Sequence, residues 1–290
     1  MDIKNFSILL FFAMFITTFQ INALDDSEQK DKNRRSFSSH NDEQANQHSD
    51  IEMTTTSKIY TAFIFDCDGI LVDTEYLKYL AWKKAFETFQ ISFEEEDYLP
   101  LVGYSSQEIA QKFQEKAMKE FVIEDVIKIK EAEYRCLQDK KVPLFKDALV
   151  FLRKIIALKR EKNIKVAIAS SAPHEEIHRN LKAMGLFPET FDLIISGHDD
   201  LSHIKDPTGV NKPKPYIYTL CSEKLNVTPE ECVVFEDTHA GVMAALTAGL
   251  DVIAVPNRFT ASHDFRKALK ATPFNQIELL ETPSGISLRL

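Results

Sequence analysis

From residue 58 onwards, short apolar runs rich in β-branched and aromatic residues alternate with segments of helical periodicity. Such runs are typical of strands buried on both faces, and the helical segments between them predict crossover connections. We therefore predict an α/β fold with a Rossmann-like parallel sheet. The predicted strands are Ile59–Phe65, Ile164–Ala169, Phe191–Ser196, Cys232–Phe235 and Val252–Val255, and the main predicted helices between them are Lys146–Lys162, Pro173–Met184, Pro213–Leu225 and Ala240–Ala248.

One long interval interrupts this alternation. Between Thr74 and Val142 the sequence contains amphipathic helical stretches and no convincing strand. A helical segment of this length between two strands is expected to fold as a separate cap over the edge of the sheet. We predict a core domain formed by residues 58–75 and 143–290, and a helical cap domain at residues 76–142.

The first 57 residues are expected to lie outside the globular domain. Residues 1–23 hold an apolar stretch from Phe6 to Phe19, followed by Ile21-Asn22-Ala23, which is suited to cleavage. This pattern predicts a cleavable signal peptide and a secreted protein without a membrane span after cleavage; a retained anchor is the alternative. Residues 24–57 are polar and charged, so we predict a disordered linker.

The charge of the chain argues against a nucleic-acid partner. The formal net charge is -9, and no run of five or more Lys and Arg residues occurs. The four cysteines lack CxxC or zinc-site spacing, and Cys67 lies between two aspartates, so free thiols are expected. Because the net charge is negative, an anionic ligand must be held by a metal ion or by local groups.

Polar residues follow four of the five predicted strands. In open parallel sheets, ligands bind at the carboxyl ends of the strands, so these residues are candidates for a site. They are Asp66-Cys67-Asp68-Gly69, Ser170-Ser171, Gly197-His198-Asp199 and Glu236-Asp237, and Lys212 follows the third strand after a long loop.

The types of these residues favour magnesium and phosphate. Asp66 and Asp68 are two positions apart, which places their side chains on the same side of an extended chain, and Glu236-Asp237 would approach from a neighbouring strand. Four converging carboxylates repel one another unless a cation lies between them, and Mg²⁺ prefers such oxygen ligands. Ser170 and Lys212 offer a hydroxyl and a positive charge to the oxygens of a phosphoryl group.

Four segments resemble the motifs of the haloacid dehalogenase-like superfamily, in the branch of helical-cap phosphatases and β-phosphoglucomutases. They occur in the family's order, each at a predicted strand end or in the loop after it. The resemblance covers Ile59 to about Leu280 and implies the fold of this superfamily. The four segments are "DCDGILVDTE", "IASS", "NKPKP" and "FEDTHAGVMAALTAG".

The resemblance implies a role for each motif residue. Asp66 would be the nucleophile that forms an aspartyl-phosphate, and Asp68 would be the general acid and base. Asp73 would cap the next helix or close a loop. The phosphate-binding residues would be Ser170 and Lys212. The Mg²⁺ ligands would be Asp66, the backbone carbonyl of Asp68, Asp237 and, directly or through water, Glu236.

The implied activity is the hydrolysis of a small phosphomonoester, of the sugar phosphate or nucleoside monophosphate type, by a monomer. Dehalogenases of the superfamily lack the second aspartate, whereas this chain has Asp68. A sugar-phosphate mutase is one alternative, although Lys78 stands where β-phosphoglucomutases carry a histidine. A non-catalytic phosphate-binding protein is another. Without the resemblance, Ser170 could instead cap the helix that starts at Pro173, a role that Ser171 fits at least as well, and Lys212 could be a surface residue.

Overall fold

The computed structural model describes residues 58–290. The predicted signal peptide at residues 1–23 and the predicted linker at residues 24–57 lie outside the described residues. Among residues 58–290, no helix combines the length and the apolar character needed to cross a membrane.

A parallel sheet forms the centre of the molecule, as the alternating pattern predicted, and it has six strands, one more than the five predicted. Its strand order is β3-β2-β1-β4-β5-β6, and β1 pairs with β2 on one side and β4 on the other. The crossovers place helices on both faces. The strands are β1 (Ala62–Phe65), β2 (Lys165–Ser170), β3 (Leu193–Ser196), β4 (Cys232–Glu236), β5 (Asp251–Ala254) and β6 (Lys270–Ala271).

Each face of the sheet has its own hydrophobic core. Because side chains alternate along a strand, Phe63 and Phe65 of β1 point into one core, while Ala62 and Ile64 point into the other. All four are fully buried, which explains why this strand is apolar throughout rather than alternating. The helices of this part of the chain are α5 (Lys146–Leu158), α6 (His174–Ala183), α7 (Tyr216–Leu225) and α8 (His239–Thr247).

Between β1 and α5 the chain forms a helical insertion, which we define as helices α1 to α4. It has a cluster of buried aromatic residues, which includes Trp82, Phe86 and Phe113 and which Phe259 of the core joins. The predicted division into residues 58–75 with 143–290 and residues 76–142 stays a prediction. The helices are α1 (Glu75–Thr88), α2 (Glu95–Tyr98), α3 (Ser106–Ala117) and α4 (Ile123–Lys140).

The two chain segments that connect the insertion to the sheet are hydrogen-bonded to each other. The backbone N–H of Asp73 donates to the carbonyl of Pro143 at 2.9 Å, and that of Phe145 donates to Leu71 at 3.3 Å. Asp73 therefore closes this loop through its backbone, whereas the residue at the N-cap position of α1 is Thr74.

The C-terminal strands were not predicted. Strands β7 (Glu278–Thr282) and β8 (Gly285–Arg289) form an antiparallel hairpin, and Ile286 pairs with Tyr60 just before β1. The apolar residues Ile286, Leu288 and Leu290 belong to the same core as Phe63 and Phe65. The hairpin thus completes the core at the end of β1 that is remote from Asp66.

Candidate active site

Asp66 lies at the carboxyl end of the central strand, directly after Phe65. The strand register sets its neighbours, because Phe65 pairs with Phe235 of β4 and with Ile168 of β2. Glu236 and Asp237 therefore approach from one side, and Ser170 from the other. The backbone N–H of Asp66 continues the ladder by donating to the carbonyl of Phe235 at 3.1 Å.

Lys212 binds both Asp66 and Glu236 from the loop that precedes α7. Its Nζ lies 2.7 Å from Oδ1 of Asp66 and 2.5 Å from Oε1 of Glu236. Burial of the ammonium group favours its neutral form, but the two carboxylates outweigh this effect and raise the pKa of Lys212. The lysine is therefore a fixed positive charge next to Asp66 rather than a surface residue.

Glu236 is held by several donors. Its Oε1 also accepts a hydrogen bond from the hydroxyl of Tyr218 at 2.5 Å, and its Oε2 accepts from the backbone N–H groups of Asp237 and Thr238. A side-chain carbon at Gly241 would lie 2.0 Å from this carboxylate, so the glycine makes room for it. These contacts fit a residue that anchors Lys212.

Three buried carboxylates meet at this edge of the sheet. Asp66, Glu236 and Asp237 each present an oxygen within 4.8 Å of the other two. Burial raises the pKa of Asp66 to about 7, with a further contribution from Glu236, and Lys212 opposes the shift. Burial together with Glu236 and Asp66 also raises the pKa of Asp237 well above its usual range. The single charge of Lys212 does not balance three carboxylates, so a further cation would stabilise the cluster.

The donor set fits magnesium. All donors are hard oxygens, which Mg²⁺ prefers, and among residues 58–290 this cluster is the only group of three or more acidic, histidine or cysteine side chains with that geometry. Oδ2 of Asp237 lies so close to Gly69 that a side-chain carbon there would be 2.1 Å away. The carboxylates that could hold the ion are those of Asp66, Glu236 and Asp237, and the part of the Asp68 backbone carbonyl stays a prediction.

Asp68 is bound by residues on both sides of the cleft. The hydroxyl of Thr74 donates to its Oδ1, and the hydroxyl of Ser170 lies 3.4 Å from its Oδ2. Nζ of Lys78, on α1 of the insertion, lies 3.7 Å from Oδ1 and 2.8 Å from the carboxylate of Glu75. Ser170 also accepts a hydrogen bond from the N–H of Ala172 at 3.1 Å, so it orders the loop before α6 as well.

A cavity of about 670 Å³ separates this cluster from the helical insertion. Asp66, Asp68, Ser170 and Lys212 line its floor, and the insertion supplies aromatic and charged side chains to its roof. Cavities of a few hundred Å³ or more accommodate small organic ligands. The roof includes Lys78, Trp82, Tyr98, Lys130 and Tyr134.

The sequence reasoning missed Asn257. Its amide donates to Oδ2 of Asp237 at 2.8 Å and to the carbonyl of Gly69 at 3.1 Å, so it links the loop after β1 to the acidic cluster. Asn257 follows β5 by three residues, with Val255 and Pro256 between them. Inspection of all five strand ends, rather than the four with immediate polar residues, would have revealed it.

The chain is similar in sequence to several known proteins. The sequence profile of the haloacid dehalogenase-like hydrolases matches residues 63–255. A phosphorylated carbohydrates phosphatase of Thermotoga maritima is 33% identical over 195 residues, which cover 66% of this chain and 83% of that protein. A β-phosphoglucomutase of Bacillus subtilis is 29% identical over 202 residues, covering 67% of this chain and 82% of that protein.

Solved structures share the fold. The structure of CbbY from Rhodobacter sphaeroides in complex with phosphate superposes with a TM-score of 0.61 at 25% identity, and the match covers 74% of this chain and 95% of that one. The matched family profile spans the acidic cluster, Ser170, Lys212 and the helical insertion. The chain therefore belongs to the haloacid dehalogenase-like hydrolases.

Proposed function

We propose that the protein is a magnesium-dependent phosphatase that hydrolyses a small phosphorylated sugar through an aspartyl-phosphate. The observation that carries this proposal is the placement of Asp66 between Lys212 and Asp237, below a cavity of about 670 Å³. The names of the two curated relatives, a phosphatase of phosphorylated carbohydrates and a β-phosphoglucomutase, support the sugar phosphate class.

Substrate binding would begin at the phosphoryl group. Nζ of Lys212 and Oγ of Ser170 both lie on the floor of the cavity beside the two aspartates, where they can donate to phosphoryl oxygens. Donors that are already fixed before the substrate arrives stabilise developing negative charge without reorganisation. The sugar would extend upwards towards the helical insertion.

Asp66 and Asp68 would then carry out the transfer. An oxygen of Asp66 forms a bond to phosphorus while the bond between phosphorus and the sugar oxygen breaks, and Asp68 gives its proton to that leaving oxygen. In the second half, water attacks the phosphorus, Asp68 accepts the proton of the water, and the bond to Asp66 breaks. Inorganic phosphate leaves, and both aspartates return to their starting state.

Bound Mg²⁺ would neutralise charge on the phosphoryl oxygens and on the carboxylates around them. The residues to hold it are Asp66, Asp237 and the backbone carbonyl of Asp68. Glu236 is committed to Lys212 and Tyr218, so it would act on the ion only indirectly.

A phosphate-release assay tests this proposal. Sugar phosphates, nucleoside monophosphates and glycerol phosphates are incubated with the protein in Mg²⁺ and in EDTA, with Asp66→Asn as the control. We expect release by the wild type in Mg²⁺ and none by the variant. Conversion of one sugar phosphate into another without net release would instead establish a mutase. No turnover despite measurable Mg²⁺ and phosphate binding would indicate a non-catalytic binding protein.

A further inference from the structure

Besides the apolar contact of Phe259 with the aromatic cluster of the insertion, two polar bonds between helices join the insertion to the core. The hydroxyl of Tyr134 on α4 donates to Oε1 of Glu176 on α6 at 2.7 Å. One turn later on both helices, the amide of Gln138 donates to Oδ1 of Asn180 at 3.1 Å. Tyr134 and Gln138 are four residues apart on α4, and Glu176 and Asn180 are four apart on α6, so each pair lies on one face of its helix. In both bonds the donor is on α4 and the acceptor is on α6.

The second bond continues into the catalytic loop. The amide nitrogen of Asn180 lies 3.7 Å from the sulfur of Cys67, the residue between Asp66 and Asp68. Gln138, Asn180 and Cys67 are 5%, 0% and 0% exposed. A continuous buried chain of polar contacts therefore leads from the insertion to the segment that holds both aspartates.

We propose that these contacts form a latch that holds the insertion closed over the cavity, and that Asn180 is a positioning residue that couples closure to the placement of Asp66 and Asp68. The latch is defined by Tyr134, Gln138, Glu176 and Asn180. This proposal rests on the proposed function, since it assigns the latch to the same site. The four latch residues lie outside the four sequence motifs that form the floor of the site.

The chemistry of the latch suits reversible closure. An apolar interface of the same area would favour the closed state strongly, because opening it would expose apolar surface to water. Polar partners that separate form hydrogen bonds with water instead, so each such bond contributes little to the net free energy. The latch bonds can therefore break and form again during substrate entry and product release.

The position of Cys67 explains how the latch is coupled to Asp66 and Asp68. Its backbone carbonyl accepts hydrogen bonds from the N–H groups of Leu71 and Val72, which form the turn after the aspartates. Its side chain is held on the opposite side by Asn180. A shift of Asn180 would therefore move the segment between the two catalytic carboxylates, and displacements of about 1 Å are enough to lower turnover severely.

The test compares two glutamine variants of the full chain. Gln138→Leu removes the latch donor, whereas Gln114→Leu removes a donor that bonds within the insertion, to the carbonyl of Phe121 at 2.7 Å. Hydrogen exchange is followed at the amides of Asp73 and Phe145, which bridge the two connecting segments. We expect Gln138→Leu to raise these exchange rates and to lower kcat/KM, each by roughly three- to tenfold, and Gln114→Leu to change neither.

Asn180→Leu tests the positioning role. We expect it to raise the exchange rates as much as Gln138→Leu does and to lower kcat further than Gln138→Leu does. The double variant should have the exchange rates and the kcat of Asn180→Leu alone, because Gln138 and Asn180 share one bond. If Asn180→Leu does not fold, Cys67→Ala removes the same contact from the other side and should lower kcat without faster exchange. In either variant, a kcat equal to that of Gln138→Leu or higher would overturn the positioning role.

The latch itself is overturned if Gln138→Leu and Gln114→Leu give the same exchange rates and the same kcat/KM. Failure of the proposed function looks different. In that case the wild type releases no phosphate from any phosphomonoester, whereas the exchange rates of the two glutamine variants still decide whether the latch exists.

Discussion

A substitution at Gly69 tests most directly whether activity depends on the position of Asp237 in the acidic cluster. Gly69 has a φ of +82°, which a residue with a side chain adopts at a cost of roughly 1–2 kcal/mol. A side-chain carbon at this position would lie 2.1 Å from Oδ2 of Asp237 and 3.0 Å from the amide of Asn257. Asp237 would have to move by about 1.3 Å, since ordinary van der Waals contact begins near 3.4 Å.

Gly69→Ala should therefore damage activity much more than stability. A displacement of about 1 Å at a catalytic site costs on the order of 100-fold in rate, so we expect kcat/KM to fall by about that factor and the Mg²⁺ concentration for half-maximal activity to rise. The backbone strain alone should lower Tm by roughly 2–8 °C. Initial rates over a Mg²⁺ titration and thermal unfolding measure the two effects.

Gly185→Ala is the matched control. Gly185 has a φ of +67°, and a side-chain carbon there would meet nothing within 4 Å. This variant should lose stability by a similar amount and keep its activity. If Gly69→Ala stays within threefold of Gly185→Ala in kcat/KM, Asp237 does not have the position-sensitive role that we assign to it.

Three further variants test other parts of the account. Lys212→Met should lower kcat/KM by roughly 10²–10³-fold, because it removes a preorganised donor to the phosphoryl group; initial rates near wild type would refute that role. Asn257→Leu should raise the Mg²⁺ requirement by about 10-fold or more in an activity titration, since Asn257 orients Asp237; an unchanged titration would refute it. Burial and the charge of Asp68 raise the pKa of Glu176 from 4.5 to about 7. The folded protein therefore retains a proton that the unfolded chain releases, and the free energy of unfolding falls as the pH rises between these values. Glu176→Gln should reduce this fall in denaturant titrations across that pH range, and an unaltered pH dependence would contradict the assignment.

The fold was largely predictable because each strand of the central sheet is buried on both faces. Strands such as Ala62–Phe65 and Cys232–Glu236 are continuous apolar runs, and runs of this kind separated by helical segments leave few architectures open. The hairpin at Glu278–Thr282 and Gly285–Arg289 was missed because one of its strands mixes polar and apolar residues. Its pairing with Tyr60 joins Tyr60 to Ile286, which lies 226 positions later in the chain, and local patterns do not reveal such a contact.

The residues on the floor of the site were also predictable, because a parallel sheet brings its strand ends to one edge. Asp66, Ser170 and Glu236 follow from strand positions alone. The contacts that the insertion makes with the core could not be predicted. Lys78 beside Asp68 and Tyr134 beside Glu176 depend on how helices from a separate segment pack over the sheet, and the sequence carries no local signal of that orientation.

The most direct test of the central claim is the mass of the peptide that contains Asp66. The protein is quenched in acid during turnover of its best sugar phosphate, digested and analysed by mass spectrometry. The account predicts one added phosphoryl group on Asp66 in the wild type, and neither the adduct nor turnover in Asp66→Asn. Turnover without an adduct on this peptide, together with phosphate release by Asp66→Asn, would contradict the role of Asp66 as the nucleophile.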